Sequence, residues 1–355
     1  MTAPISDLSA RRGKNLSFTS ACCALVALLA TSSAGFAQNA ADFYKGKQIR
    51  VVVGSAAGSG YDLVARLVWR YVANYIPGKP AIVIQNVPGA GSIVMANQVA
   101  NTAPRDGTMV GAPINGMPTA PLLQPDATHF DPTKLLWIGA AARETQVAFV
   151  WHTAPVQSLD DLKTKELLVG ATTAGTTMVD FPTVSNEFLG LKFKMVRGYE
   201  GTTQIFQAIE AGELQGIGGV GWSSVKLLAG KWLAQKQIKV IAQYGFDRNP
   251  ALPDVPLVYD LAKTQEDRLA LRLTFARQEY DRGYFLPPDV PSERVEILRR
   301  AFDAAMKDKD FLDEAQKSGI DIDPVSGERV AALIDDVLAT PPNIAERVRT
   351  IINGP

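Results

Sequence analysis

The stretch whose reading decides the fold is residues 49–66, IRVVVGSAAGSGYDLVAR. Ile49 to Val53 is an unbroken apolar run, the pattern of a strand covered on both faces. Gly54, Gly58 and Gly60 then bracket a loop of small residues. Asp62 follows, and Leu63, Val64, Leu67 and Val68 resume at helical spacing. Strand, glycine loop and helix start, in that order, make a holder for an anion or a polar ligand. The loop lets a ligand touch backbone, and the first N–H groups of the helix are unpaired and partially positive.

Outward from this stretch the same alternation repeats. Short apolar runs at 81–85, 108–112, 136–140, 147–151, 167–171, 193–196, 214–218 and 238–244 read as strands. Helical spacing near 61–75, 91–101, 177–189, 202–212 and 222–234 stands between many of them. Such β-α-β-α order predicts parallel sheets with helices on both faces, and the strands are too many for one small sheet. Two α/β lobes are expected. After Pro287, Pro288 and Pro291 the chain turns helical: Ser292 is the expected cap of one helix, with further helices over 330–338 and 344–352.

The first forty residues read differently. Arg11, Arg12 and Lys14 form a basic region, Ala21 to Ala30 an apolar core, and Gly35-Phe36-Ala37 a small-residue cleavage site. This is the pattern of a secretory signal peptide over 1–37, cleaved after Ala37, with an apolar run too short to stay in a membrane. Both cysteines of the chain, Cys22 and Cys23, fall inside it. The mature segment 38–355 would therefore hold no disulfide, thiol nucleophile or cysteine metal site, and export without disulfides suggests a bacterial periplasm. Only His129 and His152 exist, without metal-binding spacing, so no metal is expected. Removing the peptide takes away three basic residues and Asp7, which leaves 33 basic against 35 acidic. No basic run or aromatic-basic interleaving points to nucleic acid.

Two enzyme readings compete. Gly54, Gly58 and Gly60 have the spacing of a short-chain dehydrogenase, and Tyr259 and Lys263 match its catalytic pair. A dinucleotide fold wants an acid after the second strand, however, where Gln85-Asn86 stand, and an exported protein meets no nicotinamide pool. An exported hydrolase would want a G-x-S-x-G elbow, and Gly221-Trp222-Ser223-Ser224-Val225 lacks its closing glycine. No cofactor is expected. What recurs is the loop itself: small residues follow a strand at 54–60, 88–92, 172–177 and 218–221. At 88–92 tight turns explain the glycines as well as a ligand does; at 54–62 and 172–177 ligand contact is the stronger reading. Asp62 has two readings of equal weight, a partner for an ammonium or amide on the ligand and a stabiliser of the helix start.

At this point the chain resembles the periplasmic solute receptors of tripartite tricarboxylate transporters, the Bug receptors. The resemblance lies in FYKGK at 43–47, VVVGSAAGSGYDLVAR at 51–66, IQNVPGAGS at 84–92 and APRDGT at 103–108. It continues in RGYEGTTQIFQAIEAGELQG at 197–216, LPDVP at 252–256, PPDVPSERVEILRRAFDAAMKD at 287–308 and PVSGERV at 324–330. It implies a two-lobed Venus-flytrap of the type II periplasmic-binding fold with two chain crossovers, near 140 and near 245. Lobe one would be 38–140 plus 246–355, and lobe two 141–245. It implies a non-enzymatic receptor, a monomer, for a small organic carboxylate: a dicarboxylate, an aromatic acid or an amino-acid relative. Its partners would be one large and one small integral membrane subunit. A sensor feeding a two-component system is the alternative. Carried onto this chain, the ligand-contacting residues are Ser55, Ala57, Gly58, Ser59, Gly60, Tyr61 and Asp62 in lobe one. In lobe two they are Thr173, Ala174, Gly175, Thr176 and Thr177, with Tyr199 at the cleft rim. Tyr61 stands where the family usually has a small hydroxyl residue. The segment QEYDRGYFL at 278–286 departs from an Arg-Pro pair common in relatives.

Overall fold

The computed structural model describes Met1 and residues 42–354, so the signal peptide expected over 1–37 lies, Met1 apart, outside the described residues. The chain runs β1 (Gln48–Val53), α1 (Gly60–Tyr75), β2 (Ala81–Asn86), α2 (Ile93–Thr102), β3 (Met109–Ala112), a single turn α3 (Ala120–Leu123) and β4 (Leu136–Ala142). It continues through β5 (Gln146–Trp151), β6 (Leu167–Gly170), α4 (Thr177–Leu189), β7 (Phe193–Val196), α5 (Thr202–Glu210), β8 (Gly216–Gly221), α6 (Trp222–Ala234) and β9 (Ile238–Gln243). It ends through α7 (Gln265–Phe275), β10 (Asp281–Leu286), α8 (Ser292–Ala305), α9 (Lys309–Lys317), β11 (Val325–Ser326), α10 (Gly327–Leu338) and α11 (Pro342–Ile352).

Two sheets result, in the orders β11-β4-β10-β3-β1-β2 and β7-β6-β8-β5-β9. Each has a parallel heart, β2-β1-β3 in the first and β7-β6-β8 in the second. The expectation of purely parallel sheets is corrected at the strands next to the crossings. There β10 runs against β3 and β4, and β5 against β8 and β9. A strand that enters from the other lobe starts at the cleft end, so it must run opposite to neighbours that end there. Val51, Val53, Val68 and Leu298 pack in the core between the first sheet and α1 and α8. Val52, Met95, Trp137 and Val330 fill the other face, under α2 and α10. The second sheet is covered by α4, α7 and α11 on one face and by α5 and α6 on the other.

The two sheet-to-sheet crossings lie between β4 and β5 and just before β10. The sequence put the second near 245 and assigned all of 246–355 to lobe one. In the structure Val258, Leu271 and Phe275, and Ile344, Val348 and Ile352 of α11, are buried with Phe181 and Val169 of the second lobe. The chain therefore re-enters the first sheet only at β10, and its last helix returns to the second lobe. Proline punctuation at 250–256 marks a loop, not a crossing. Helix α7 escaped the sequence reading, although Thr264 and Asp267 form a reciprocal capping box at its start. Ser292 is the first residue inside α8 and Pro291 its cap, with no side-chain cap bond. Residues 218–221, expected as a loop, belong to strand β8. A Cβ on Gly219 would stand 2.4 Å from the Thr177 carbonyl oxygen and one on Gly218 2.5 Å from Pro182. These glycines let α4 press onto the sheet.

Candidate functional site

The strand ends of both parallel hearts carry the loops singled out in the sequence. In the first, Ser59 caps α1 by accepting from the Asp62 N–H at 3.3 Å. Gly58 is left-handed, φ 77°, and its N–H is turned onto the Asp62 carboxylate at 2.8 Å. Arg66 Nε and Asn86 Nδ2 donate to the same carboxylate, each at 3.0 Å. Asn86 also donates to the Ser55 carbonyl, and the Ser55 and Ser59 hydroxyls bond each other at 2.7 Å. Burial pushes the Asp62 carboxyl up, but the bonds from Arg66, Gly58 and Asn86 outweigh it and hold it below the ordinary range. Every contact recorded for its oxygens is with a protein group. The loop N–H groups of Ala57, Gly60 and Tyr61 have no protein partner among the described residues.

The second loop is built the same way. Gly175 is left-handed, φ 87°, and donates to Asp180 Oδ1 at 3.0 Å. Asp180 lies in the first turn of α4 as Asp62 does in α1. Its other oxygen takes Arg277 Nη2 at 2.6 Å, with both side chains at most 1% exposed. Arg277 also donates to the Gly175 carbonyl at 3.0 Å and to the Thr274 carbonyl at 2.9 Å. The hydroxyls here are committed: Thr176 to Thr172 and the Thr173 carbonyl, and Thr177 to the Gly219 carbonyl. The N–H groups of Thr173, Ala174 and Thr177 have no partner among the described residues. Sequence reading missed Asp180 and Arg277, which stand 97 positions apart.

The segment after β3 lies between the two loops. Asn115 N–H donates to the Tyr61 hydroxyl at 3.4 Å, and a Cβ on Gly116 would stand 2.7 Å from the Gly175 carbonyl oxygen. Ser92 ties this segment to the first loop, accepting from Ile114 N–H and donating to the Gly54 carbonyl, both at 2.9 Å. The glycine turn at 88–92 thus has a structural task. Asn115 Nδ2 and Gln146 Oε1, in side chains 3% and 5% exposed, have no partner among the described residues. They stand just after β3 and at the start of β5, at the cleft ends of the two sheets. Buried amide atoms left open in this way are polar positions for a ligand or water. Tyr199 is half-buried against the α5–α6 core.

Tyr61 turns toward the crossing segments. Its hydroxyl donates to Asp281 Oδ1 at 2.7 Å, and the Arg282 guanidinium lies 4.0 Å over its ring. Burial, then the charge of Asp281, pushes the phenol well above its ordinary range. Arg282 is a non-glycine residue at φ 59°. Burial works against its charge, and the nearby Asp281, Tyr61 and Glu144 outweigh it, which keeps the guanidinium protonated. Glu144, in the first crossing, accepts from the N–H and hydroxyl of Ser223. Its carboxyl is pushed up to about 7 by burial and by Asp281, against the Ser223 bonds. Ser223 is the serine of the near-elbow considered in the sequence. Its partner is this carboxylate, with no histidine bonded to either group among the described residues. Beside this cluster a cavity of about 700 Å³ opens between α1 and α6, bordered by Gly60, Glu144, Ser223 and Arg282.

Comparison with known proteins agrees with this geometry. The profile described as "Tripartite tricarboxylate transporter family receptor" (TctC) matches residues 64–349, beginning just past the first loop. A curated relative, a UPF0065 protein in the gbd 5′ region of Cupriavidus necator, is 25% identical over 233 residues, 63% of this chain and 67% of its own length. Among solved structures, the periplasmic binding protein BugD superposes with a TM-score of 0.65 at 19% identity, covering 87% of this chain and 98% of its own. MatC from Rhodopseudomonas palustris, solved with bound malate, gives 0.62 at 20%, covering 86% and 99%. At such identities the structures speak for the two-lobed fold, and the profile, spanning most of the sequence, speaks for the family. The chain belongs to the receptor family of the tripartite tricarboxylate transporters, whose members are periplasmic solute-binding proteins.

Proposed function

We propose that this receptor captures a small organic carboxylate between its lobes and presents it to a tripartite transporter with one large and one small integral membrane subunit. The observation that carries the reading is the matched pair of loops. Each lobe offers a strand, a left-handed glycine fixed by an aspartate of the following helix, and N–H groups without protein partners among the described residues. Such donors are aimed in advance, so an anion meets them at little ordering cost. Ser55, Ala57, Gly58, Ser59, Gly60 and Tyr61 shape the first half of the grip, and Thr173, Ala174, Gly175, Thr176 and Thr177 the second. Asp62 and Asp180 hold these loops in shape without touching the ligand. Tyr199 borders the rim. Closure of the lobes on the ligand makes the form that the membrane subunits recognise. The mature chain begins at Gln38 in the periplasm, after cleavage behind Ala37.

The test is a thermal-shift and calorimetric screen of the mature chain against small carboxylates, sugars, nucleotides and phosphate. At about a hundred times its dissociation constant a ligand of the folded state adds roughly 2.7 kcal/mol of stability. At least one carboxylate is expected to do so and to compact the protein in X-ray scattering. Stabilisation by a nucleotide and by no carboxylate would overturn the reading.

A further inference from the structure

The cavity beside the first loop has a composition that the loop alone does not explain. Leu63 and Leu67 of α1, Ile82 and Ile84 of β2, Leu227 of α6 and Ile320 of the loop before β11 form an apolar stripe in its lining, with charged side chains between them. The lobes touch along its rim, and it stays open to solvent. Leu227 lies 3.3 Å from the position a Cβ would take on Gly319, and Lys226 pairs with Asp321. Its volume, about 700 Å³, lies within the range of sites for drug-sized molecules, roughly 300–1,000 Å³.

Four cations stand on or beside it. Arg66 is bonded to Asp62, Arg70 to Glu314 and Lys226 to Asp321. Arg282 differs. Its side chain is 12% exposed, its closest carboxylate oxygen is 3.7 Å from Nε, and it donates no hydrogen bond among the described residues. A guanidinium carries five N–H donors in a planar fork matched to a carboxylate. Leaving them open on a side chain this buried is costly unless something else accepts. Nη2 lies 3.7 Å from the Cβ position of Gly60, beside the open N–H groups at the start of α1. The left-handed backbone at Arg282 is strain of the kind that persists where the surroundings fix a side chain for a task.

We propose that the preferred ligand is a monocarboxylate with a compact hydrophobic body, aromatic or branched aliphatic. Its carboxylate lies between Arg282 and the first loop's N–H groups at the start of α1, and its body fills the cavity. The cavity lining includes Gly60 but none of residues 173–177, so the first loop carries the grip. This rests on the carboxylate-receptor reading and narrows it. A second carboxylate on the ligand would meet the apolar stripe or the carboxylates of Glu144, Glu314 and Asp321, and Arg66, Arg70 and Lys226 are each already hydrogen-bonded to an anion. The structural neighbour solved with malate holds a dicarboxylate; this chain would favour a different class.

Calorimetry on the mature protein with benzoate, phenylacetate and 4-methylpentanoate, against malate, succinate and adipate, tests the assignment. The hydrophobic acids are expected to bind at least about tenfold more tightly than the dicarboxylates. Phenylacetamide, which has the ring without the charge, is expected to lose at least about tenfold against phenylacetate, and Arg282→Gln the same. Should Arg282→Gln fold poorly, Leu227→Trp serves instead. Leu227 is 55% exposed, so the indole fills the cavity mouth without entering the core, and it too is expected to weaken phenylacetate at least about tenfold. Tighter binding of dicarboxylates, with phenylacetamide and Leu227→Trp indistinguishable from their controls, would overturn the inference and leave the receptor reading standing. Failure of every carboxylate to bind would overturn both.

Discussion

The two glycine loops use one device with different anchors. In the first lobe every partner of Asp62 is near in sequence: Gly58, Arg66 and Asn86. The pair with Arg66 is at the surface, the arginine being 47% exposed. In the second lobe Asp180 reaches Arg277, in the segment that leads into the first sheet, and neither side chain is more than 1% exposed. The first loop is thus held by its own lobe, and the second is riveted to the crossing. One hydrogen-bonding pattern is local trim in one lobe and part of the hinge in the other.

Removal of each arginine tests this directly. Arg277→Met leaves Asp180 buried without its counter-charge and is expected to cost about 3–5 kcal/mol in urea unfolding. Phe181, whose ring lies 5.3 Å from that guanidinium, loses its cation as well. If Arg277→Met and Arg66→Ala cost the same, the contrast between the lobes is wrong.

The next effect belongs to the hinge itself. Glu144 has a folded-state pKa of about 7, raised from 4.5. The unfolded chain therefore loses this proton first. The contribution of Glu144 to stability is fully present below about 4.5 and is lost as pH rises through about 7. At 1.36 kcal/mol per pKa unit the change is on the order of 3 kcal/mol. The groups facing it are Asp281 and Arg282 from β10 and Ser223 from α6. Melting temperature is expected to fall between pH 5 and pH 7.5, and to fall less in Glu144→Gln. A flat wild-type profile would remove Glu144 from the account.

Smaller effects separate the loops again. Asp62→Ala frees the Gly58 N–H and the start of α1, at a cost of about 1–2 kcal/mol. It is also expected to weaken ligand binding, because the open N–H groups lose their aim. Asp62→Ala with full affinity would sink the view that it shapes the loop. Gly58→Ala and Gly175→Ala each force a side chain into left-handed backbone at about 1 kcal/mol. At Gly175 the new Cβ would also stand 3.1 Å from Gln124 Nε2, and that flexible side chain must yield. The smallest effect is Arg66→Ala, about 0–1 kcal/mol, as befits an exposed pair.

The sequence by itself determined what depends on neighbours along the chain. The apolar run 49–53 became β1, the spacing after Asp62 became α1, and the glycines at 58 and 175 took the left-handed backbone that their small-residue loops suggested. The two-lobed fold and the family were legible because strand order and motif order are written linearly. Contacts between distant segments set the rest. The return of α11 to the second lobe, the glycines of β8 as packing points for α4 and the pairing of Asp180 with Arg277 all depend on residues far apart in sequence. The same holds for Arg282, which looked like a departure from a family motif. Its meaning comes from Gly60 and Tyr61 at the start of α1 and from Glu144 in the first crossing, two distant segments that the fold brings around it. The physical reason is that burial and charge pairing act through space, whereas helix spacing, caps and turns act within a few residues of chain.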